Sequence, residues 1–232
     1  RYEKNDNLKI TQAVAAYLAD KENIQVIMTR SDDTFLSLEE RTSFANQNNA
    51  DYFVSLHRNT GEGNGVETWI RSDADDKTQA LAKNIMDNLD AAGISRNRGV
   101  KKGTQKSESK DYYVNLHTNM PACIVELGFM NSPTDNQLFD ANIDSYAKAI
   151  GDAVLKTYES YGKDGADAKE SVEDVPGTEE QTSTETGTGT TGQVLQNTPI
   201  ENIYCMEVVR DDLFYLITGV YAGTGESQTA KL

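Results

Sequence analysis

Residues 122–129 read Ala-Cys-Ile-Val-Glu-Leu-Gly-Phe, an almost unbroken apolar run holding one carboxylate, Glu126. A run without polar/apolar alternation suits a strand covered on both faces, the situation of a parallel sheet with helices packed on each side. An ionised carboxylate inside such a strand costs free energy unless it is paired or its pKa rises. A raised pKa suits a general base working near neutrality. A strand-end Glu that meets solvent or an Arg fits the same run equally well.

The segments before and after this run alternate between helical and extended patterns. Ile10, Ala13, Val14, Tyr17 and Leu18 follow helical spacing behind a cap expected at Asn5 or Asp6, and Ile24–Met28 is β-prone. Ser37 and Glu40 form a capping box ahead of Leu38, Arg41, Phe44 and Ala45. Asp51–His57 and Val66–Ile70 are strand-like, and a helix carrying Leu81, Ala82, Ile85, Met86 and Leu89 should stop near Gly93. Residues 95–110 read as a polar, lysine-rich loop, and Tyr112–Leu116 as a short strand or part of a helix. Asp135–Phe139 and then Tyr146, Ile150, Val154 and Tyr158 mark closing helices. The fold class that follows is α/β, a mostly parallel twisted sheet with helices on both faces. In such a sheet, sites gather at strand carboxyl ends. His57 and Glu126 both stand at such ends.

A formal net charge of −15 argues against nucleic acid or anionic lipid as the main partner. No apolar stretch reaches the roughly 18 residues of a membrane span, and no signal peptide opens the chain. The two cysteines, Cys123 and Cys205, have no disulfide-framework spacing, and Cys123 reads as a small buried hydrophobe. With two histidines in all, His57 and His117, a metal site must draw on carboxylates. Residues 162–192 turn to Gly, Thr, Ser, Glu and Asp and read as a flexible acidic linker, so the first domain spans 1–161. Residues 193–232 are strand-like in places but short for an independent fold, which suggests part of a second module.

Glu3, His57 and Glu126 offer the residue types of a zinc hydrolase: carboxylate and imidazole ligands and a carboxylate to move a proton. Taken alone they fit equally a hydrogen-bonded histidine and an exposed acid in a helix's first turn. The order of segments adds more. Glu3-Lys4 with Asn7-Leu8, Met28-Thr29-Arg30, Val54–Asn59, Gly65-Val66-Glu67, Arg98-Gly99 and Pro121–Asn131 together resemble the zinc-dependent N-acetylmuramoyl-L-alanine amidases over about residues 1–160.

That resemblance implies that Glu3 and His57 are Zn2+ ligands and that Glu126 is the catalytic glutamate. It implies hydrolysis of the amide between N-acetylmuramic acid and L-alanine in peptidoglycan, by a secreted bacterial protein of the cell wall or periplasm. The family's further zinc histidine, in a glycine-rich turn after its first strand, falls upstream of residue 1, so the catalytic domain is expected to be incomplete at its N-terminus. A chain without that ligand is expected to hold zinc weakly. Glu67 is either a partner that orients a ligand or a solvent-facing strand residue. Arg30 and Arg41 are expected to pair with local carboxylates, and His117 has no ligand counterpart in the family. Leu213–Tyr221 resembles the opening of a SPOR-type peptidoglycan-binding domain. Two other readings stand beside the amidase: an inactive peptidoglycan binder on the same fold, and a zinc peptidase acting on stem peptides.

Overall fold

The apolar run of residues 122–129 lies at the heart of a sheet. In the computed structural model, which describes residues 1–22, 24–105, 109–161 and the backbone of 214–219, β5 (Ala122–Phe129) runs between β2 (Tyr52–Asn59) and β3 (Val66–Ile70). Beyond β3 lies β4 (Asn97–Lys102), and on the other side β2 is followed by β6 (Phe214–Gly219) and β1 (Gln25–Met28). The described sheet thus has six strands in the order β1-β6-β2-β5-β3-β4. All pairings are parallel except β3 with β5. Of the strand-like run Leu213–Ile217, the described part from Phe214 belongs to β6 (Phe214–Gly219), inside this sheet between β1 and β2. The acidic linker, Cys205 and the rest of 193–232 lie outside the described residues.

Six helices fill the connections: α1 (Glu3–Ala19), α2 (Leu38–Gln47), α3 (Asp76–Ala91), α4 (Tyr113–His117), α5 (Pro133–Ala141) and α6 (Ile143–Tyr161). Strand parity sorts the core into two layers. Val54, Leu56, Val66, Ile70, Cys123, Val125 and Leu127 meet Ile10 and Val14 of α1, Leu81 and Ile85 of α3 and Ile150 of α6. The opposite face carries Phe53, Trp69, Ala122 and Ile124 against Ala45 of α2 and Val114 of α4. Each fully buried Leu, Ile or Val in these layers contributes roughly 1.5–3 kcal/mol. The second layer is the smaller. It covers the amino half of β5 and leaves Glu126, on the same face, beyond its edge.

Local signals explain most boundaries. The capping box forms as expected: Ser37 Oγ accepts from Glu40 N at 3.1 Å and the Glu40 carboxylate accepts from Ser37 N at 2.7 Å. Helix α3 ends at the Ala92 cap, followed by Gly93 at φ +91. Two expectations are corrected. Helix α1 starts at Glu3 behind Tyr2, before the Asn5 or Asp6 cap, and its Tyr2 cap lacks a side-chain hydrogen bond. Residues 97–102 form a strand where a loop was expected. β4 is an edge strand with Val100 as its one apolar side chain, so hydropathy carries no trace of it, and ladder bonds to β3 stabilise it. Arg30 and Arg41 also donate to backbone carbonyls, Arg30 to those of Asp32 and Lys4 and Arg41 to that of Leu36, with Asp33 and Glu40 as attracting carboxylates nearby.

Candidate active site

Period-two alternation decides which polar groups gather at the carboxyl ends of β2 and β5. Phe53, Ser55 and His57 share a face of β2; Ile124 and Glu126 share that face on β5; Trp69 and Glu67 share it on β3. His57 is the register partner of Glu126 across the parallel pair, and Glu67 is its partner across the antiparallel one. Residues far apart in the chain thus stand side by side on neighbouring strands.

Glu3 arrives from the first turn of α1. Arg58, one residue past His57, turns to the other face, where its fully buried guanidinium donates to Asp6 Oδ2 at 2.8 Å. It also donates to Asn136 Oδ1 at 2.7 Å and packs 4.3 Å from the Phe139 ring centroid. This cation therefore ties the start of α1 to the end of β2, where an acidic first turn also meets the helix dipole. Glu3 is 8% exposed, which removes the reading of an exposed helix-start acid. Its Oε1 accepts from His57 Nδ1 at 3.0 Å, Asn7 Nδ2 at 3.3 Å and the Arg58 backbone N–H at 3.3 Å.

The second ring nitrogen of His57 lies 3.0 Å from Ser55 Oγ. With Glu3 ionised, Nδ1–H donates to the carboxylate and Nε2 accepts from the hydroxyl. Ser55 went unnoticed in the sequence. Its spacing of two from His57 on a strand was the signal that would have found it.

Glu126 is half-buried, with its Oε2 shielded from solvent and without a hydrogen-bond partner among the described residues. Burial, followed by attraction to His57 and repulsion from Glu3 and Glu67, leaves its pKa pushed up to about 7 from an ordinary carboxyl value of 4.5. A carboxylate near neutrality can both accept and return a proton at working pH.

Glu67 is 1% exposed and faces inward. Its Oε1 accepts from Asn59 Nδ2 at 3.2 Å, Trp69 Nε1 at 3.0 Å and Gln105 Nε2 at 3.0 Å, and its Oε2 from Arg98 Nε at 2.7 Å. These donors satisfy a charge that would otherwise be prohibitive there. His117 stacks on Tyr113 at 4.0 Å between ring centroids, on α4 and apart from this cluster. Cys123 is free and buried, and desolvation pushes its thiol pKa up. A cavity of about 330 Å3 lies at the amino end of β5, lined in part by Arg71, Thr78, Asn115 and Met120, and so away from Glu126.

Zinc takes imidazole nitrogen and carboxylate oxygen, and neighbouring ligand atoms around a tetrahedral ion stand about 3.3 Å apart. His57 Nδ1 and Glu3 Oε1, 3.0 Å apart, fit such a ligand pair. Groups of three or more His, Cys, Asp or Glu able to hold a metal do not occur among the described residues.

The N-acetylmuramoyl-L-alanine amidase family model matches residues 1–156. An uncharacterized Bacillus subtilis protein, YqiI, is 34% identical over 163 residues, covering 69% of this chain and 74% of its own length. The sporulation-specific N-acetylmuramoyl-L-alanine amidase of the same species is 31% identical over 134 residues, covering 57% of this chain. The match spans half of that relative's length. Among solved structures, the N-acetylmuramoyl-L-alanine amidase of Clostridium difficile 630 aligns with TM-score 0.64 and 33% identity, over 70% of this chain and 87% of that one. The catalytic domain of CwlV, an N-acetylmuramoyl-L-alanine amidase from Bacillus (Paenibacillus) polymyxa var. colistinus, aligns with TM-score 0.60 and 30% identity, over 68% of this chain and 86% of that one. A model match over two thirds of the sequence, on a sheet that brings His57 and Glu126 together, places the chain in the N-acetylmuramoyl-L-alanine amidase family.

Proposed function

We propose that this chain carries the catalytic domain of a zinc-dependent cell-wall amidase that cleaves the amide between N-acetylmuramic acid and L-alanine in peptidoglycan. The observation that carries the reading is the register pairing of His57 with Glu126, with Glu3 on the His57 ring. Glu3 and His57 are the zinc ligands and Glu126 is the base, in a catalytic domain built from residues 1–161 with β6 as a further strand of its sheet. When bound, zinc supplies electrophilic polarisation of the amide carbonyl.

The chain's own residues do the rest. Glu126 takes a proton from the attacking water and returns it to the leaving nitrogen of the alanine. As ligands, His57 Nδ1 and Glu3 face the ion with Nδ1 unprotonated, and Ser55 Oγ accepts from Nε2–H on the other side of the ring, which holds that tautomer. The acidic surface directs the protein away from anionic polymers such as nucleic acid, and action at the cell wall is consistent with relatives named as cell wall amidases.

Product analysis on purified muropeptides tests the reaction. Release of intact stem peptide and free lactyl-linked glycan is expected. Release of free amino acids would assign a peptidase, and binding without products would assign an inactive binder. The ligand role is read separately: His57→Ala should lower zinc content in metal analysis by at least about ten-fold at limiting metal. Unchanged zinc content would remove His57 from the ligand set.

A further inference from the structure

The end of the sheet that carries Glu126 is crowded with acid. Glu3, Asp6, Glu67 and Glu126 lie there, in a chain of formal net charge −15. An acidic peptide can settle on such a face only where a cation with unspent donors stands on it. Three guanidinium groups are near. Arg1 spends its nitrogens on Asp6 and on both oxygens of Asp140. The Arg58 side chain is fully buried, and its three nitrogens go to the Gly128 carbonyl, Asp6 and Asn136.

Arg98 is built differently. Its side chain is 29% exposed, with Nε donating to Glu67 at 2.7 Å. Nη1 reaches the Asn64 carbonyl at a long 3.4 Å, and Nη2 has no hydrogen-bond partner among the described residues. The guanidinium carbon sits 5.0 Å from the centroid of the buried Phe129 ring. One nitrogen is tethered, one face is braced and one edge is open. Glu67 takes only the Nε side of the guanidinium, so the Nη2 edge keeps its donors.

The position suits a peptide leaving the scissile bond. Glu67 is the cross-strand partner of Glu126, and Arg98 holds Glu67 from the next strand out. The open edge of Arg98 thus lies within two strand spacings, roughly 10 Å, of the Glu126 backbone. A chain advances about 3.5 Å per residue, so a carboxylate on the residue after the alanine falls inside that distance. Resting on the amidase reading, we infer that Arg98 is a specificity-determining residue that binds a free carboxylate on the stem-peptide residue following L-alanine. Planar guanidinium edges recognise carboxylates, and bracing lowers the ordering cost of doing so.

Trp69 is the chain's only tryptophan and donates to the carboxylate that Arg98 holds, so its emission reports on this site. The test titrates the full chain carrying Glu126→Gln, which does not consume ligand, with N-acetylmuramoyl-L-alanyl-D-glutamate and with the same compound amidated at both glutamate carboxyls. The acid form is expected to bind about ten-fold more tightly, a preference that shrinks with added salt. Adding Arg98→Gln should abolish the preference, Arg98→Lys should keep part of it, and Arg96→Gln, just before β4, should leave it intact. Equal binding of both forms, binding of neither, or a preference that survives Arg98→Gln overturns the assignment. Hydrolysis by the chain with Glu126 intact is scored separately, so a carboxylate preference without cleavage would keep the Arg98 site and refute the amidase reading.

Discussion

Glu126→Gln is expected to stabilise the metal-free protein at pH 8. The folded carboxyl titrates near 7 against an ordinary value of 4.5, so between those pH values the unfolded chain has lost a proton that the folded chain still holds. Stability therefore falls as pH rises through this window, and the full penalty applies above about pH 7. Below about pH 4.5 both states are protonated and the penalty vanishes. The difference corresponds to roughly 3 kcal/mol. Glutamine resembles the neutral acid in shape and lacks the charge. In chelator-treated protein, the variant should melt roughly 5–10 °C above the parent at pH 8 and level with it at pH 4. A gap that persists at pH 4, or that is absent at pH 8, would mean that Glu126 is not held at a desolvation cost. Stability given up at a working residue is the usual trade at an active site.

Gly128→Ala is expected to be among the most destabilising single changes in the domain. Gly128 has φ +88, and a Cβ there would stand 2.8 Å from Cβ of Asp135, in a space that backbone shift alone can open. Asp135 is 4% exposed, and its carboxylate accepts from the backbone N–H of Gly65 at 2.9 Å and of Phe129 at 2.8 Å, with Ser95 Oγ on its other oxygen. It thereby ties together the approach to β3, the exit of β5 and the approach to β4. Moving it loosens the frame on which Glu67, Arg98 and Glu126 sit. Left-handed strain costs about 1 kcal/mol, and the displaced carboxylate raises the total to roughly 3 kcal/mol or more. Gly93→Ala is the matched control, because φ is +91 there but nothing lies within 4 Å of the added carbon. It should lose only about 1 kcal/mol in urea unfolding. Equal losses at the two positions would show that strain alone, without the Asp135 contact, sets the cost.

Much of this arrangement is legible in the residues. The run 122–129 announces a central strand because burial on both faces removes polar alternation, and Ser37 with Glu40 announces a helix start because its partners are three residues apart. Glu126 stands out because one charge in an apolar strand requires an explanation. What is not legible is non-local. Contact between Glu3 and His57, 54 residues apart, follows from how α1 is pinned by Arg58 and Asp6, which no local spacing encodes. The edge strand β4 hides because its stabilisation comes from backbone pairing with β3 and little from apolar side chains. Glu67 read equally as inward or outward until its donors, brought from β2, β4 and the following loop, were seen to surround it. The place of β6 between β1 and β2 is equally beyond local pattern, because neighbours in a parallel sheet need not be neighbours in sequence.

The role of Glu126 as the proton carrier is tested most directly by measuring turnover of purified muropeptides and bound zinc together in the parent and in Glu126→Gln. With zinc content unchanged, turnover is expected to fall by at least about a hundred-fold, the scale of a lost general base. Near-normal turnover at equal zinc content would contradict that role.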